Sequence, residues 1–425
     1  MTLLIFSAVL LGAMAIGLPI AMALMLSSAA LMLHLDAFDP QAMALQMING
    51  ADSFALLAVP FFILAGEAMT AGGLSRRLVG LGMAMLGHVR GGLGYVAVVA
   101  AIFLASVSGS AVADTAALAA VLIPMMRTAG YNVPRASGLM AAGGIIAPVI
   151  PPSIGYIVFG VAANVSITSL FLAGIVPGVM MGLALAATWW FCARKETAAL
   201  LPRASWSERG QALRDALLAL ALPVIIVGGL RFGLFTPTEA AVVAAVYALF
   251  IGMVVYRELH WRELPAVLTA TVRTSAAVMF LVAAASLSGY MITIADVPAE
   301  VQGLLEPFSS DPRLMMFVIM LLVVVVGTAL DFVPTILILT PVLMPSVRAA
   351  GIDPVYFGIL FIMNNAIGLL TPPVGSVLNV VCAVARVEMG PVMRGVMPFL
   401  LAQLVVLFLL VLLPQIVLMP LQWFR

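Results

Sequence analysis

Four short stretches set oxygen-rich chemistry within strongly apolar sequence. They are "SVSGSAVAD" (106–114), "GGIIAPVIPPS" (143–153), "GTALD" (327–331) and "NNAIGLLTPPVGS" (364–376). In each, a hydroxyl, carboxylate or carboxamide sits beside proline or glycine. Proline has no N–H and frees an upstream carbonyl. A helix broken there exposes carbonyls at one end and N–H groups at the other. The carbonyls suit a small hard cation, and the N–H groups suit an anion. The cage candidates in the first half are Ser106, Ser108, Gly109 and Ser110, facing Ala147, Ile150 and Pro151. In the second half they are Gly327, Thr328 and Leu330, facing Gly368 and Thr371. Asp114, Ser153, Asp331, Asn364, Asn365 and Ser376 are the candidates for holding a substrate. Each has a plainer reading too. A single break alone reads as a packing kink, whereas two symmetric breaks beside polar tips point to function; the aspartates read also as helix caps and the asparagines as links between helices. Glu67 in "PFFILAGE" and Glu239 in "TPTEA" read as interfacial caps.

Elements that position such groups must be membrane helices. The chain is 64% hydrophobic and 9% charged, against about 45–50% and about 25% for soluble domains. An all-α polytopic membrane protein follows, since the short alternating segments of a barrel are missing. A formal net charge of +1 leaves no nucleic-acid footprint. Cys192 and Cys382 form no disulfide or metal pattern, and His34, His88 and His260 lie at segment ends. The start of the chain has no basic region or cleavage site of a signal peptide, so 1–33 reads as retained membrane sequence.

About ten spans are expected from runs of roughly 20 apolar residues. They lie near 2–17, 19–34, 52–70, 136–162, 169–192, 216–233, 237–256, 273–293, 355–385 and 394–420. The first two are separated by Gly17–Pro19 alone, so one long tilted helix is the alternative there. Two further stretches, 92–127 and 314–347, read as re-entrant hairpins with polar tips. Segments 74–90 and 257–272 read as interfacial arm helices. With the N-terminus outside, 15 of the 19 basic residues fall inside, and only Arg231, Arg313, Arg348 and Arg425 fall outside.

The chain repeats itself. A shift of 221 residues pairs Pro124 with Pro345, Arg127 with Arg348, Gly130 with Gly351, Gly174 with Gly395 and Pro177 with Pro398. The same shift pairs Pro151-Pro152 with Pro372-Pro373, Ser106 with Gly327, Ala147 with Gly368 and Ile150 with Thr371. The first repeat spans 1–192, a cytoplasmic loop spans 193–215, and the second repeat spans 216–425. Five crossings before the loop invert the second half. Inverted repeats with broken helices at matching positions are the pattern of secondary transporters.

At these residues the chain resembles the large membrane subunit of tripartite ATP-independent periplasmic (TRAP) transporters, the DctM type within the ion transporter superfamily. "PFFILAGE", "SGSAVADTAAL", "IPPSI", "LAGIVPG", "FTPTEAAVV", "VYRELHWREL" and "LLTPPVG" carry the resemblance nearly end to end. The resemblance implies a scaffold plus an elevator-type transport domain with two hairpins, in a multi-pass protein of the bacterial inner membrane. It implies sodium as coupling ion at two or more sites. It implies import of an organic acid, such as a C4-dicarboxylate or sialic acid, delivered by a periplasmic substrate-binding protein. A small four-helix membrane subunit is implied as a further partner, expected as a separate chain. The second sodium site would lean on the carbonyls of Gly327 and Gly368 and on Thr328 and Thr371, because "GTALD" has fewer hydroxyls than "SVSGS". The alternative within transport is a stand-alone sodium–anion symporter. An enzyme is not expected: no HExxH or GxSxG occurs, and no histidine sits mid-span to serve as base. No Walker motif is present for an ATP-driven pump.

Overall fold

The computed structural model describes residues 2–194, 196, 201–308, 311–372 and 375–424. Pro373 of the second proline pair, and the basic residues Lys195 and Arg425, lie outside the described residues. The helices run in the order α1 (Thr2–Ala15), α2 (Ile20–His34), α3 (Pro40–Ala51), α4 (Ala58–Ala71), α5 (Leu74–Leu86), α6 (Gly92–Ser108), α7 (Ala111–Thr128), α8 (Val133–Gly144), α9 (Ile154–Ala163) and α10 (Ile167–Ala193). They continue as α11 (Trp206–Arg231), α12 (Pro237–Phe250), α13 (Leu264–Ile294), α14 (Val297–Leu305), α15 (Pro312–Ala329), α16 (Phe332–Ala349), α17 (Pro354–Gly368), α18 (Ser376–Ala385), α19 (Met389–Leu412) and α20 (Gln415–Phe424). Among the described residues, eight helices are long and apolar enough to cross a membrane.

Local chemistry explains the boundaries. Gly17, at φ +85°, and Pro19 separate α1 from α2, so the two are distinct helices. The 15 residues of α2 reach about 22 Å at roughly 1.5 Å per residue, short of a core about 30 Å thick. Ser205 with Glu208, and Thr236 with Glu239, form capping boxes that start α11 and α12. Each box satisfies two N–H groups that the first turn leaves free. The π-turn Ile251–Val255 ends α12.

Four features differ from the sequence reading. Helices α3 and α14 were not foreseen. The stretch 257–272 is no separate arm: its second half is the first part of α13, which runs 31 residues. Glu67 lies inside α4 rather than at a helix end. The last span stops at Leu412, because Pro414 disfavours a helical Leu413, and α20 follows.

Small residues let helix backbones touch, as expected where lipid gives helices no hydrophobic reason to associate. A Cβ on Gly138 of α8 would lie 2.6 Å from the Val396 nitrogen of α19. The fully buried Trp189 lies over Gly94, and its indole N–H donates to the Gly91 carbonyl at 2.8 Å. The order hairpin, broken helix, long helix occurs twice, as α6–α10 and as α15–α19. The short helices after the breaks cross over: α9 lies against α16, and α18 lies against α7.

Candidate cation and substrate site

The first tip is a two-residue turn between α6 and α7. Gly109 takes φ +60°, a left-handed conformation that glycine adopts without penalty. Ser110 caps α7, its hydroxyl accepting from the Ala113 N–H at 3.4 Å. The Ser110 N–H donates to the Ser108 hydroxyl at 3.1 Å, and that hydroxyl donates to the Asp114 carboxylate. Asp114 is 3% exposed, and its Oδ2 has no partner among the described residues. A buried acceptor left unpaired costs roughly 1–3 kcal/mol. Neighbouring Thr115 likewise has a buried, unpartnered hydroxyl. Ser106 is tied locally, donating to the Phe103 carbonyl at 2.6 Å.

This tip rests directly on the first helix break. A Cβ on Gly109 would stand 2.6 Å from the Pro152 carbonyl oxygen and 3.3 Å from Ser153 Cα. The Pro151–Pro152 bond is cis. Ser153 caps α9, accepting from the Tyr156 N–H at 3.4 Å, and donates to the Pro148 carbonyl at 2.6 Å. Ala147 and Ile150 are buried within the break, with the Ile150 side chain set against Gly178 of α10. The atoms nearest the tip therefore belong to Pro152, Ser153 and Ile154, just beyond Pro151.

The second tip meets the second break in the same way through other atoms. A Cβ on Gly368 would lie 2.9 Å from the Gly327 carbonyl oxygen. That close approach needs glycine at 368, whereas a Cβ on Gly327 would stand at an ordinary 3.5 Å from Gly368 Cα. The Gly368 carbonyl accepts from both the N–H and the hydroxyl of Thr371, at 2.9 and 2.7 Å. Thr328 donates to the Val325 carbonyl at 2.8 Å. Leu330 links the arms in an extended conformation, φ −113° and ψ 149°.

The two aspartates are not structural counterparts. Asp331 occupies the N-cap position of α16, as Ser110 does for α7, whereas Asp114 lies one turn inside α7. Ser376 donates to Asp331 Oδ1 at 3.4 Å, tying the second tip to the start of α18. Ser376 is not the counterpart of Ser153 either, because Gly375 holds the N-cap of α18. Asn364 donates to the Met320 carbonyl at 2.6 Å, joining α17 to α15. Asn365 donates to the Phe361 carbonyl of its own helix at 2.9 Å. Both carboxamide oxygens are buried and unpartnered among the described residues. A Cβ on Gly155 would lie 2.6 Å from the Phe332 ring, so the start of α9 abuts the start of α16 and the two tip–break pairs adjoin.

The arrangement offers oxygen and no thiolate or imidazole. No group of three histidines, cysteines or carboxylates that could hold a metal occurs among the described residues. Oxygen donors suit hard cations, and converging carbonyls with orphaned acceptors call for a partner that is positive or donates hydrogen bonds.

Residues 7–416 match the family model described as "Tripartite ATP-independent periplasmic transporter, DctM component". The chain belongs to this family. It is a family of transporter permeases, not of enzymes. The chain is 55% identical to the Escherichia coli 2,3-diketo-L-gulonate TRAP transporter large permease protein YiaN, over 100% of both chains. It is 53% identical to a putative TRAP transporter large permease protein of Haemophilus influenzae, again over 100% of both. In fold it is similar to the YdaH transporter of Alcanivorax borkumensis, with a TM-score of 0.64, 16% identity, and 88% of this chain and 89% of that one covered.

Two close neighbours of the first tip escaped the sequence reading. Gly66 of α4 brings that helix against the tip, since its Cβ would lie 3.4 Å from Ser108 Cα. Thr115 faces Gly144 of the break helix so closely that no Cβ fits there. The available signals were the glycine in "PFFILAGE" and the threonine directly after Asp114.

Proposed function

We propose that this chain is the large membrane subunit of a sodium-coupled TRAP transporter that imports an organic acid. The contact between each hairpin tip and its helix break, Gly109 on Pro152 and Gly327 on Gly368, carries this reading. Each contact gathers backbone oxygens where side chains would keep them apart. Two cation sites at these junctions would leave the space between them for a carboxylate, whose charge the cations offset. The matching positions of the two tips, with α7 beginning at Ala111 and α16 at Phe332, support an internal repeat offset by 221 residues. An elevator motion would carry α6–α10 and α15–α19 past α4, α12 and α13. A carboxylate such as the diketogulonate in the name of YiaN fits the substrate class. A periplasmic binding protein and a small membrane subunit complete the system, in the inner membrane of a bacterium.

Reconstitution in liposomes with a candidate small subunit and binding protein tests the proposal. Uptake is expected only with all three components and an inward sodium gradient. Uptake by the purified chain alone would favour the stand-alone symporter instead, and uptake indifferent to sodium would remove the coupling ion.

A further inference from the structure

Two arginines outside the site make the same unusual contact. Arg127 lies in the last turn of α7, and its guanidinium donates to the carbonyl of Ala385, the final residue of α18, at 2.5 Å. Arg348 lies in the last turn of α16, and its guanidinium donates to the carbonyl of Ala163, the final residue of α9, at 2.8 Å. The receiving ends are also alike. Both helices stop at a non-glycine residue in the left-handed conformation, Asn164 at φ 53° and Arg386 at φ 52°. Both donating helices end on a left-handed glycine, Gly130 and Gly351. Ala163 and Ala385 are buried, so their carbonyls have little access to water. The last carbonyls of a helix have no partner within it, and they carry the negative end of its dipole. A guanidinium answers both needs. The ion pairs found among the described residues involve Arg76, Arg77, Arg135 and His260 rather than these two.

We propose that Arg127 and Arg348 are positioning residues that latch each hairpin to the half-helix of the opposite repeat. α18 already lies along α7, and α9 along α16. The latch pins the far end of each pair, away from the break. A half-helix hinged only at its proline break would swing independently of the hairpin beside it. Latched, the hairpin and the half-helix travel together, and both ion cages keep their shape during the crossing. This consequence for transport rests on the mobile-unit reading given above, whereas the latch itself does not.

Arg127→Met and Arg348→Met, in the complete reconstituted system, test the latch. Hydrogen exchange followed by mass spectrometry is the first readout. Arg127→Met should speed exchange at least tenfold in 382–388 while leaving 160–166 unchanged. Arg348→Met should do the reverse. Turnover per assembled transporter should fall at least fivefold, with the KM for substrate and for sodium within twofold of the parent. Lysine at the same position should restore at least half of the lost turnover. If either methionine variant fails to assemble, Arg127→Gln and Arg348→Gln, which keep a polar head too short for the reach, take its place with the same expectations. Unchanged exchange at the opposite half-helix overturns the latch. A KM that rises with turnover intact overturns the positioning role. Faster exchange in a protein whose hairpin proves immobile upholds the latch and defeats only the mobile-unit reading.

Discussion

Gly109 concentrates the demands of the site in one residue. Its φ of +60° disfavours any side chain by roughly 1–2 kcal/mol. Its missing Cβ is also what lets the Pro152 carbonyl approach. That neighbour is backbone, so it cannot turn aside as a side chain would. Gly109→Ala should therefore lower uptake at least tenfold, and the melting temperature of the purified protein should drop by a few degrees. Gly12→Ala is the matched control, since a Cβ there meets nothing within 4 Å, and it should transport normally. Equal uptake by the two variants would take the tip out of the mechanism.

At the scale of elements, the breaks matter more than the helices they interrupt. α8 and α9 form one apolar run in sequence, yet residues 145–153 turn the chain and end the ladder of helical bonds. Short turn bonds such as Val149 N–H to the Ile146 carbonyl at 2.9 Å hold the break closed locally. The proposed motion predicts that α7 slides relative to α4. Val112, 41% exposed on α7, is the natural anchor for a test. Cysteines at Val112 and at successive positions of α4 should yield at least one pair whose disulfide stops uptake, with recovery on reduction and substrate binding intact. Efficient crosslinks that never slow uptake would refute the sliding element.

For the whole molecule, the charge distribution makes the sharpest prediction. Basic residues collect on one side of the proposed topology, as cytoplasmic loops do. Ser205 and Asn164 are both exposed and lie on opposite sides of that layout. A cysteine at Ser205 should be protected from an impermeant thiol reagent in intact cells, and one at Asn164 should be labelled. The opposite pattern at both positions would invert the topology, and the assignment of Arg127 and Arg348 to opposite faces would invert with it.

Sequence by itself determined the class, the family resemblance and the addresses of the two tips and two breaks. Those properties are local or compositional: apolar runs of span length, proline pairs, and polar knots where a bilayer tolerates none. The capping boxes at Ser205 and Thr236 are equally local, each built within four residues, although of their members only Glu239 is read as a cap from the sequence. Tertiary structure alone decided which tip touches which break, and through which atom. Pro152 rather than Pro151 meets Gly109 because backbone close approach depends on the path of both helices, and no spacing encodes it. It also separated residues that share a type. Asp331 stands at a helix N-cap position and accepts from Ser376 of α18, while Asp114 holds Ser108 from one turn inside, although both flank a tip in sequence. Arg127 and Arg348 matched under a shift of 221 residues, yet their partners Ala385 and Ala163 lie 258 and 185 residues away in the chain. Contacts at that separation depend on how α7 lies along α18 and α16 along α9, which only the folded chain specifies.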